Sequence, residues 1–378
     1  MKAWVLHGIN DFVLEDVEKP IIGENEVLVA VRAAGICGSD IPRIYKSGAH
    51  VHPLIPGHEF SGVVVQTGEK VGETWSGKRV GVFPLIPCGE CRPCKNRQYE
   101  MCRHYNYLGS RRDGGFAELV AVPKENLIEL PDEVSFEEAA MLEPMAVAVH
   151  AMRRVLGDCC HGSLEQKLTL NDGALSQPDG NMADIGTVAV CGLGTIGLLL
   201  VMFLKDAGLN NILVIGNKEF QKQMALKIGI TEEQYCDSRT QDVNQWIKEK
   251  TDGMGVDVFF ECVGKNATLC QAVENTAPAG RVCLVGNPHS DMGLDQATYW
   301  KILRNQLKVT GTWNSSFTHE QTDDWHYVLE RLRQGKIAPE KLISHKYALV
   351  EPEMEQGFCI MRDKTEDYVK VMGMSDAF

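Results

Sequence analysis

Four cysteines lie close together in the string PCGECRPCKNRQYEMC, with the spacing C-x2-C-x2-C-x7-C. They are Cys88, Cys91, Cys94 and Cys102. Four thiolates at this spacing can complete a tetrahedral shell around one Zn²⁺, and a complete shell leaves no position for a substrate. A disulfide cluster or a set of reactive thiols is the alternative. The spacing therefore predicts a structural zinc site, with the chemistry located elsewhere in the chain.

A second set of residues, more dispersed, has the composition of a catalytic metal site. Cys37 lies in GICGSD, His58 and Glu59 lie in GHEFSG, and Glu143 lies in MLEPMAVAVHA. A thiolate, an imidazole and carboxylates form a mixed shell in which water or substrate can hold one position, which is typical of catalytic zinc. A lone buried cysteine or histidine is usually structural, so the prediction depends on the whole set.

A glycine-rich turn predicts a dinucleotide site. Gly192, Gly194 and Gly197 form G-x-G-x-x-G in VCGLGTIG, after a strand-like segment and before a helix-like one. In that context the turn, with Thr195 and Ile196 opening the helix, brings backbone N–H groups to a pyrophosphate. A chance glycine-rich turn is the alternative.

The next strand-like segment, NILVIG, bears on the choice of cofactor. Chains that bind NAD carry a carboxylate about 20 positions beyond the glycine motif, where it accepts from the ribose 2′-OH. Here the sequence is Gly216-Asn217-Lys218. Glycine leaves room, the amide can donate, and the lysine supplies positive charge for a 2′-phosphate. We therefore expect NADP(H) to be preferred over NAD(H); NAD bound with a weakened ribose contact is the alternative.

Composition narrows the class of protein. A chain of 378 residues with a formal net charge of -13 predicts two domains and argues against nucleic-acid binding, which needs a basic face. The longest apolar run, residues 198–204, is too short to span a bilayer, so no membrane partner is expected. The N-terminal residues do not resemble a signal peptide, and the thirteen cysteines are expected to stay reduced in the cytoplasm.

The elements that must position these residues change in character along the chain. The first 150 residues contain strand-like strings such as VLVAVRAAG and FSGVVVQTG, which predict a β-rich domain. From Ile185, strands alternate with helices, which predicts an α/β domain with a parallel sheet. After LKVTGTW the alternation stops, and HEQTDDWHYVLERLRQGKI predicts one amphipathic helix.

Residues 157–184 fit neither pattern, because they are polar and loop-like over an unusual length. The segment could form either a surface excursion or a functional lid, and we favour the surface excursion. Cys159, Cys160 and His161 could bind a metal, but no fourth ligand lies at a suitable spacing.

The strings GICGSD, GHEFSG, the four-cysteine stretch, LEP and GLGTIG occur in an order that resembles the medium-chain zinc-dependent alcohol dehydrogenases. The LEP string is similar to the polyol dehydrogenase branch, and CGSDIPRIYKSGAH and YLGSRRDGGFAE resemble the galactitol-1-phosphate 5-dehydrogenases. The resemblance implies a GroES-like β-rich catalytic domain at 1–153 and 314–378, with a zinc lobe at about 86–104. It also implies a Rossmann doubly wound parallel-sheet cofactor domain at 154–313. The insertion and Gly216 depart from that family.

The resemblance also implies roles for individual residues and two zinc ions per chain. Cys37, His58, Glu59 and Glu143 would be the ligands of the catalytic zinc, and the four clustered cysteines those of the structural zinc. Ser39 would begin a proton relay from the substrate. Asp40 would accept a hydrogen bond from His58 and fix its tautomer.

The implied reaction is hydride transfer between a secondary alcohol, a polyol or polyol phosphate such as galactitol 1-phosphate, and NAD(P), giving the ketone. Four basic residues in the resembling strings could clamp a phosphate, or they could be solvated surface charges: Arg43, Lys46, Arg111 and Arg112. Unphosphorylated polyols or other secondary alcohols are an alternative substrate class, and a non-catalytic nucleotide-binding scaffold is an alternative function. The resemblance implies a homodimer or homotetramer, pairing near RVCLVG and LKVTGTW.

Overall fold

The computed structural model describes residues 1–157, 185–288 and 290–376. The predicted metal candidates Cys159, Cys160 and His161 lie outside these residues. The chain divides into two compact units, Met1–Ala146 with Ser315–Phe378, and Val147–Asn314. The division falls within one helix, Leu142–Leu156, and the boundary expected from the sequence at 153/154 lies in the same helix.

Most of the strands lie in the first unit, and the others form the centre of the second. Their bounds are β1 Lys2–Gly8, β2 Asp11–Asp16, β3 Glu26–Ile36, β4 Glu59–Thr67, β5 Arg79–Val82, β6 Leu85–Ile86, β7 Asn106–Tyr107, β8 Leu119–Pro123, β9 Leu127–Glu129, β10 Val188–Cys191, β11 Ile212–Gly216, β12 Tyr235–Asp237, β13 Val256–Glu261, β14 Thr276–Leu284, β15 Lys308–Gly311, β16 Ile343–Ala348 and β17 Lys370–Met374.

The helices range from three residues in α1 to fifteen in α4. Their bounds are α1 Asp40–Pro42, α2 Arg92–Lys95, α3 Phe136–Ala140, α4 Leu142–Leu156, α5 Thr195–Asp206, α6 Glu219–Lys227, α7 Val243–Lys250, α8 Asn266–Asn275, α9 Gln296–Arg304, α10 Asp324–Arg333 and α11 Met354–Asp363. Within the described ranges, no helix combines the length and apolarity needed to cross a lipid bilayer.

The first unit is built on one sheet with the strand order β16-β17-β3-β4-β5-β9, and β8 also pairs with β3. β3 is its central strand because its run of valine, alanine and leucine is buried on both faces. In the antiparallel register, Gly35 lies opposite Glu59 and Ile36 lies opposite Val371. The end of β3 and the starts of β4 and β17 therefore meet at one place.

The C-terminal segment differs from its expected form. The predicted helix over 319–337 is shorter, because α10 begins only after Asp323, whose side chain accepts a hydrogen bond from His326 N at 2.8 Å and caps the helix. The residues that follow return to the first sheet as β16 and β17, with α11 between them.

The second unit contains a parallel sheet with the order β12-β11-β10-β13-β14-β15. Renumbered within this unit, the order is 3-2-1-4-5-6, the doubly wound arrangement of dinucleotide-binding folds. Its strands β10 and β11 are continuous, buried apolar runs, as expected when helices cover both faces of a parallel sheet. The predicted fold class is confirmed: a β-rich GroES-like unit and a Rossmann unit.

Candidate metal and nucleotide sites

The four-cysteine lobe brings four sulfur atoms together around α2. The ligand atoms of Cys88, Cys91, Cys94 and Cys102 all lie within 4.8 Å of one another. Three of the separations are 3.4 Å for Cys91–Cys94, 3.9 Å for Cys88–Cys94 and 3.9 Å for Cys91–Cys102. A tetrahedral shell with Zn–S bonds of about 2.3 Å requires sulfur atoms about 3.8 Å apart. The four thiols therefore fit one zinc ion.

Backbone hydrogen bonds favour the thiolate at Cys88 and Cys91, whereas burial raises the pKa of Cys94 to about 12. Hydrogen bonds from the backbone at Arg103 and Cys94 lower the pKa of Cys91 to about 6, and Cys88 N donates to Cys102 Sγ at 3.2 Å. The lobe is tied to the rest of its unit by Arg97, whose guanidinium donates to Thr318 O at 2.6 Å.

The second predicted metal set is assembled where β3, β4 and β17 meet. Cys37 follows β3, Glu59 opens β4, and His58 precedes it. Their candidate ligand atoms lie within 4.8 Å of one another, and His58 and Glu59 are buried. Ser39 Oγ donates to Cys37 Sγ at 3.3 Å. The mixed set of sulfur, nitrogen and oxygen fits a zinc ion that keeps a position open.

Asp40 lies beside this cluster and contacts two of its members, Cys37 and His58. It is fully buried, accepts from Cys37 N at 3.0 Å, and is ion-paired to Arg43. His58 Nδ1 lies 3.3 Å from Asp40 Oδ1, so Nε2 is left as the ligand atom. Burial would raise the pKa of Asp40, but the charges of His58 and Arg43 outweigh it and hold this pKa below its ordinary value.

Lys370, the first residue of β17, was not among the residues predicted for this site. Its side chain is 2% exposed, and its ammonium bonds to the Glu59 carboxylate and to Ile36 O, the latter at 3.2 Å. A buried ion pair thus holds one of the candidate zinc ligands. The only signal in the sequence is a single lysine within the apolar strand KVMGM.

Glu143 lies near the cluster without joining it. It is 8% exposed and accepts from Tyr107 Oη at 3.2 Å, and the Tyr107 ring packs edge-on against His58. Burial raises the pKa of Glu143 to about 7. Within the part of the chain that the structure describes, the group of close ligand atoms comprises Cys37, His58 and Glu59 but not Glu143. Tyr107 is a second residue that sequence reasoning missed.

The glycine-rich turn connects β10 to α5. A Cβ atom on Gly192 would lie 2.6 Å from Val263 Cγ2, and one on Gly197 would lie 1.9 Å from Gly192 O. Both positions therefore require glycine. Space around Gly194 is open to at least 4 Å, and Thr195 and Ile196 begin the helix directly after it. This open side allows a ligand to approach the backbone at the helix N-terminus.

Gly216 ends β11 in a crowded position. A Cβ atom there would lie 2.8 Å from Tyr235 Oη and 3.2 Å from Leu193 Cδ1, so a longer side chain has no room unless Tyr235 moves. Asn217 and Lys218 connect it to α6, whose N-cap is Lys218.

Two of the four candidate phosphate ligands are engaged by carboxylates. Arg112 Nη2 donates to Glu26 Oε1 at 2.5 Å, and Arg43 pairs with the buried Asp40. These carboxylates neutralise part of the positive charge expected from the sequence.

The other two candidates, Lys46 and Arg111, are exposed. The Arg111 guanidinium lies 4.9 Å from the centre of the Tyr105 ring. His50 is near both Arg111 and Arg43: burial and then these two charges lower the pKa of His50 below its ordinary value. The charges of Arg43 and Arg111 therefore both influence the same residue, His50.

Comparisons with known proteins show the family of this chain. Residues 23–132 match the alcohol dehydrogenase GroES-like domain, and residues 195–334 match the zinc-binding dehydrogenase family. Galactitol 1-phosphate 5-dehydrogenase of Escherichia coli (strain K12) is 32% identical over 334 residues, which cover 88% of this chain and 89% of that protein. The chain belongs to the medium-chain zinc-dependent alcohol dehydrogenases. It is therefore an oxidoreductase that acts on secondary alcohols.

Solved structures show the same architecture as this alcohol dehydrogenase. The crystal structure of galactitol-1-phosphate dehydrogenase from Escherichia coli superposes with a TM-score of 0.84 at 30% identity, covering 99% of this chain and 100% of that one. A zinc-binding dehydrogenase of Sinorhizobium meliloti 1021, bound to NADP, superposes with a TM-score of 0.82 at 26% identity, covering 99% and 98%.

Proposed function

We propose that this dehydrogenase interconverts a polyol or polyol phosphate and its ketone, with NADP(H) as the preferred hydride carrier and two zinc ions per chain. The observation that carries the proposal is the buried convergence of Cys37, His58 and Glu59 within 4.8 Å. A zinc ion bound there would polarise a carbonyl and lower the pKa of an alcohol. Cys88, Cys91, Cys94 and Cys102 would hold the second ion, which stabilises the lobe. Glu143, which bonds to Tyr107 beside His58, would replace Glu59 when the site rearranges.

Protein groups would position the reacting oxygen and move its proton. Ser39 Oγ lies 3.3 Å from Cys37 Sγ, and there it would begin a proton relay, accepting the substrate hydroxyl proton while its own proton passes to water. Asp40 would hold His58 in the tautomer that presents Nε2. Lys370 balances the charge of Glu59, and Arg43 balances that of Asp40.

The cofactor preference rests on the end of β11. A carboxylate side chain at Gly216 would meet Tyr235, so the usual contact with a ribose 2′-OH has no place on this strand. Lys218 would supply positive charge to a 2′-phosphate, with Asn217 as a further donor. The crystal structure bound to NADP shows that a protein of the same fold accepts this cofactor.

The substrate class rests on the relative that acts on galactitol 1-phosphate and on the basic residues near the candidate zinc site. We infer that the exposed Lys46 and Arg111 attract a substrate phosphate, and that Arg43 and Arg112 contribute less because Asp40 and Glu26 already neutralise them. Arg111→Ala should raise KM for galactitol 1-phosphate about tenfold, while Arg112→Ala, the matched control, should leave KM near the wild-type value. Equal effects of the two substitutions would contradict this assignment.

The experiment that tests the function is a kinetic panel. Galactitol 1-phosphate, galactitol, sorbitol and simple secondary alcohols are each offered with NADP⁺ and with NAD⁺, and kcat/KM is compared. We expect the highest value for a polyol phosphate with NADP⁺. A highest value for an unphosphorylated polyol would favour the alternative substrate class, and turnover of none of them would favour a non-catalytic nucleotide-binding scaffold.

We further propose a homodimer formed through the edge of the second sheet. β15 pairs with β14 and is the last strand of the described order, and it carries the exposed Val309, with Trp313 just beyond it and Trp300 on α9. A second copy could extend the sheet and cover these side chains, and a homotetramer could form from two such dimers. Val309→Asp should give a monomer in sedimentation analysis. Val65→Asp, on a similarly exposed valine of β4, is the matched control and should not.

A further inference from the structure

Arg239 lies at the same edge of the second sheet as Gly216. β11 and β12 are parallel, and their register places Gly216 opposite Asp237. The chain after β12 is fixed to this edge, because Ser238 donates to Gly216 O from its backbone N at 2.9 Å and from its hydroxyl at 3.1 Å. The carboxyl ends of parallel strands form the edge where dinucleotides bind. Arg239 therefore follows directly on a residue that contacts the end of β11.

The Arg239 guanidinium is held in one orientation. Its Nε donates to Asp237 Oδ1 at 2.9 Å and its Nη2 donates to Asp237 Oδ2 at 2.6 Å, while the side chain stays 52% exposed. No acceptor among the described residues takes the N–H groups of Nη1. A guanidinium fixed on one side by a carboxylate and open on the other is suited to bind a phosphate.

We propose that Arg239 is a specificity-determining residue of the cofactor site and binds the 2′-phosphate of NADP(H) together with Lys218. Asp237 orients the guanidinium. The inference rests on the proposed preference for NADP(H). The competing interpretation is that Asp237 takes over the role of the missing carboxylate on β11 and accepts from the ribose 2′-OH of NAD(H).

Calorimetric binding of two fragments distinguishes these interpretations. Adenosine 2′,5′-bisphosphate carries the 2′-phosphate, and adenosine 5′-monophosphate carries a free 2′-OH. Arg239→Gln should weaken binding of the bisphosphate about tenfold and change binding of the monophosphate by less than about twofold. Arg239→Lys should recover part of the loss. Arg333→Gln is the matched control, because Arg333 makes a similar exposed pair with Glu330, with donor distances of 2.7 and 2.7 Å.

The remaining outcomes separate a failure of the NADP(H) preference from a failure of the role of Arg239. If the wild-type protein does not prefer the bisphosphate, the NADP(H) preference and the role of Arg239 both fail. If the wild-type protein prefers it and Arg239→Gln retains that preference, only the role of Arg239 fails. Asp237→Asn should weaken binding of the bisphosphate alone, because the substitution releases Arg239. A larger loss of affinity for the monophosphate than for the bisphosphate would overturn the proposal in favour of a ribose contact made by Asp237.

Discussion

Replacing Lys370 with methionine should destabilise the first unit far more than the loss of an ordinary surface charge. Lys370 and Glu59 are each 2% exposed. Water therefore cannot solvate either charge when its partner is removed. Burial disfavours the ammonium, yet the carboxylate of Glu59 raises the pKa of Lys370 above its ordinary value. Because that pKa is raised, the stabilisation is complete below pH 10.5 and is lost only as pH rises through the folded-state pKa.

The expected size follows from what the substitution leaves behind. Methionine fills a similar volume, so little cavity forms, but the Glu59 carboxylate stays buried without its ammonium partner. Removing one member of a buried ion pair costs about 3–5 kcal/mol of unfolding free energy. The carbonyl of Ile36 also loses its donor, which lies at 3.2 Å.

Equilibrium urea unfolding of the zinc-free protein, followed by tryptophan fluorescence, measures this change, because a bound zinc ion would itself compensate the charge of Glu59. Lys70→Met is the matched control, because Lys70 pairs with Glu24 at 2.5 Å but its side chain is 62% exposed, and we expect a loss below about 1 kcal/mol. The double variant Lys370→Met/Glu59→Gln should be more stable than Lys370→Met alone, because it removes the unpaired charge. A Lys370→Met protein no less stable than the control would refute the reasoning.

Three further predictions concern the two metal sites. Cys102→Ser should reduce the zinc content from two ions to one per chain and lower the melting temperature, measured by elemental analysis and calorimetry. An unchanged zinc content would contradict the assignment of Cys102 as the fourth ligand of the structural zinc. Ser39→Ala should lower kcat about 100-fold and Ser39→Thr should restore most of it, measured by steady-state kinetics, whereas equal losses would exclude the hydroxyl as proton acceptor. After chelation, stability should fall as pH rises from 4.5 to about 7, because Glu143 is protonated in the folded protein over that range but ionised when unfolded. Glu143→Gln should flatten this slope in urea titrations at several pH values, and an unchanged slope would assign it to another group.

The sequence predicted best those features whose residues lie close together along the chain. The four cysteines span residues 88–102, so their spacing alone indicated a common ligand. The turn at Gly192 was equally local, since strand, turn and helix follow one another within one βαβ unit. Cys37 and Glu59 come together only because β3 pairs with β4, so their association was predicted from their residue types and from a resemblance, not from spacing.

Features that depend on distant pairing could not be predicted. Lys370 and Glu59 are 311 positions apart and meet because the C-terminal strand β17 pairs with β3. Nothing local to KVMGM identifies that strand as part of the first sheet. Arg111 and Arg112 looked equivalent as neighbours, but only Arg112 finds a carboxylate, on the distant Glu26. Arg239 was missed because β12 is only three residues long.

We propose that the cluster of Cys37, His58 and Glu59 holds the zinc ion that the reaction requires. Zinc content and NADPH formation from galactitol 1-phosphate, measured on the same preparations of wild-type and Cys37→Ser protein, test this proposal. We expect two zinc ions per chain and activity in the wild type, and one zinc ion, retained binding of adenosine 2′,5′-bisphosphate and no measurable activity in the variant. Near-normal activity of Cys37→Ser protein would contradict it.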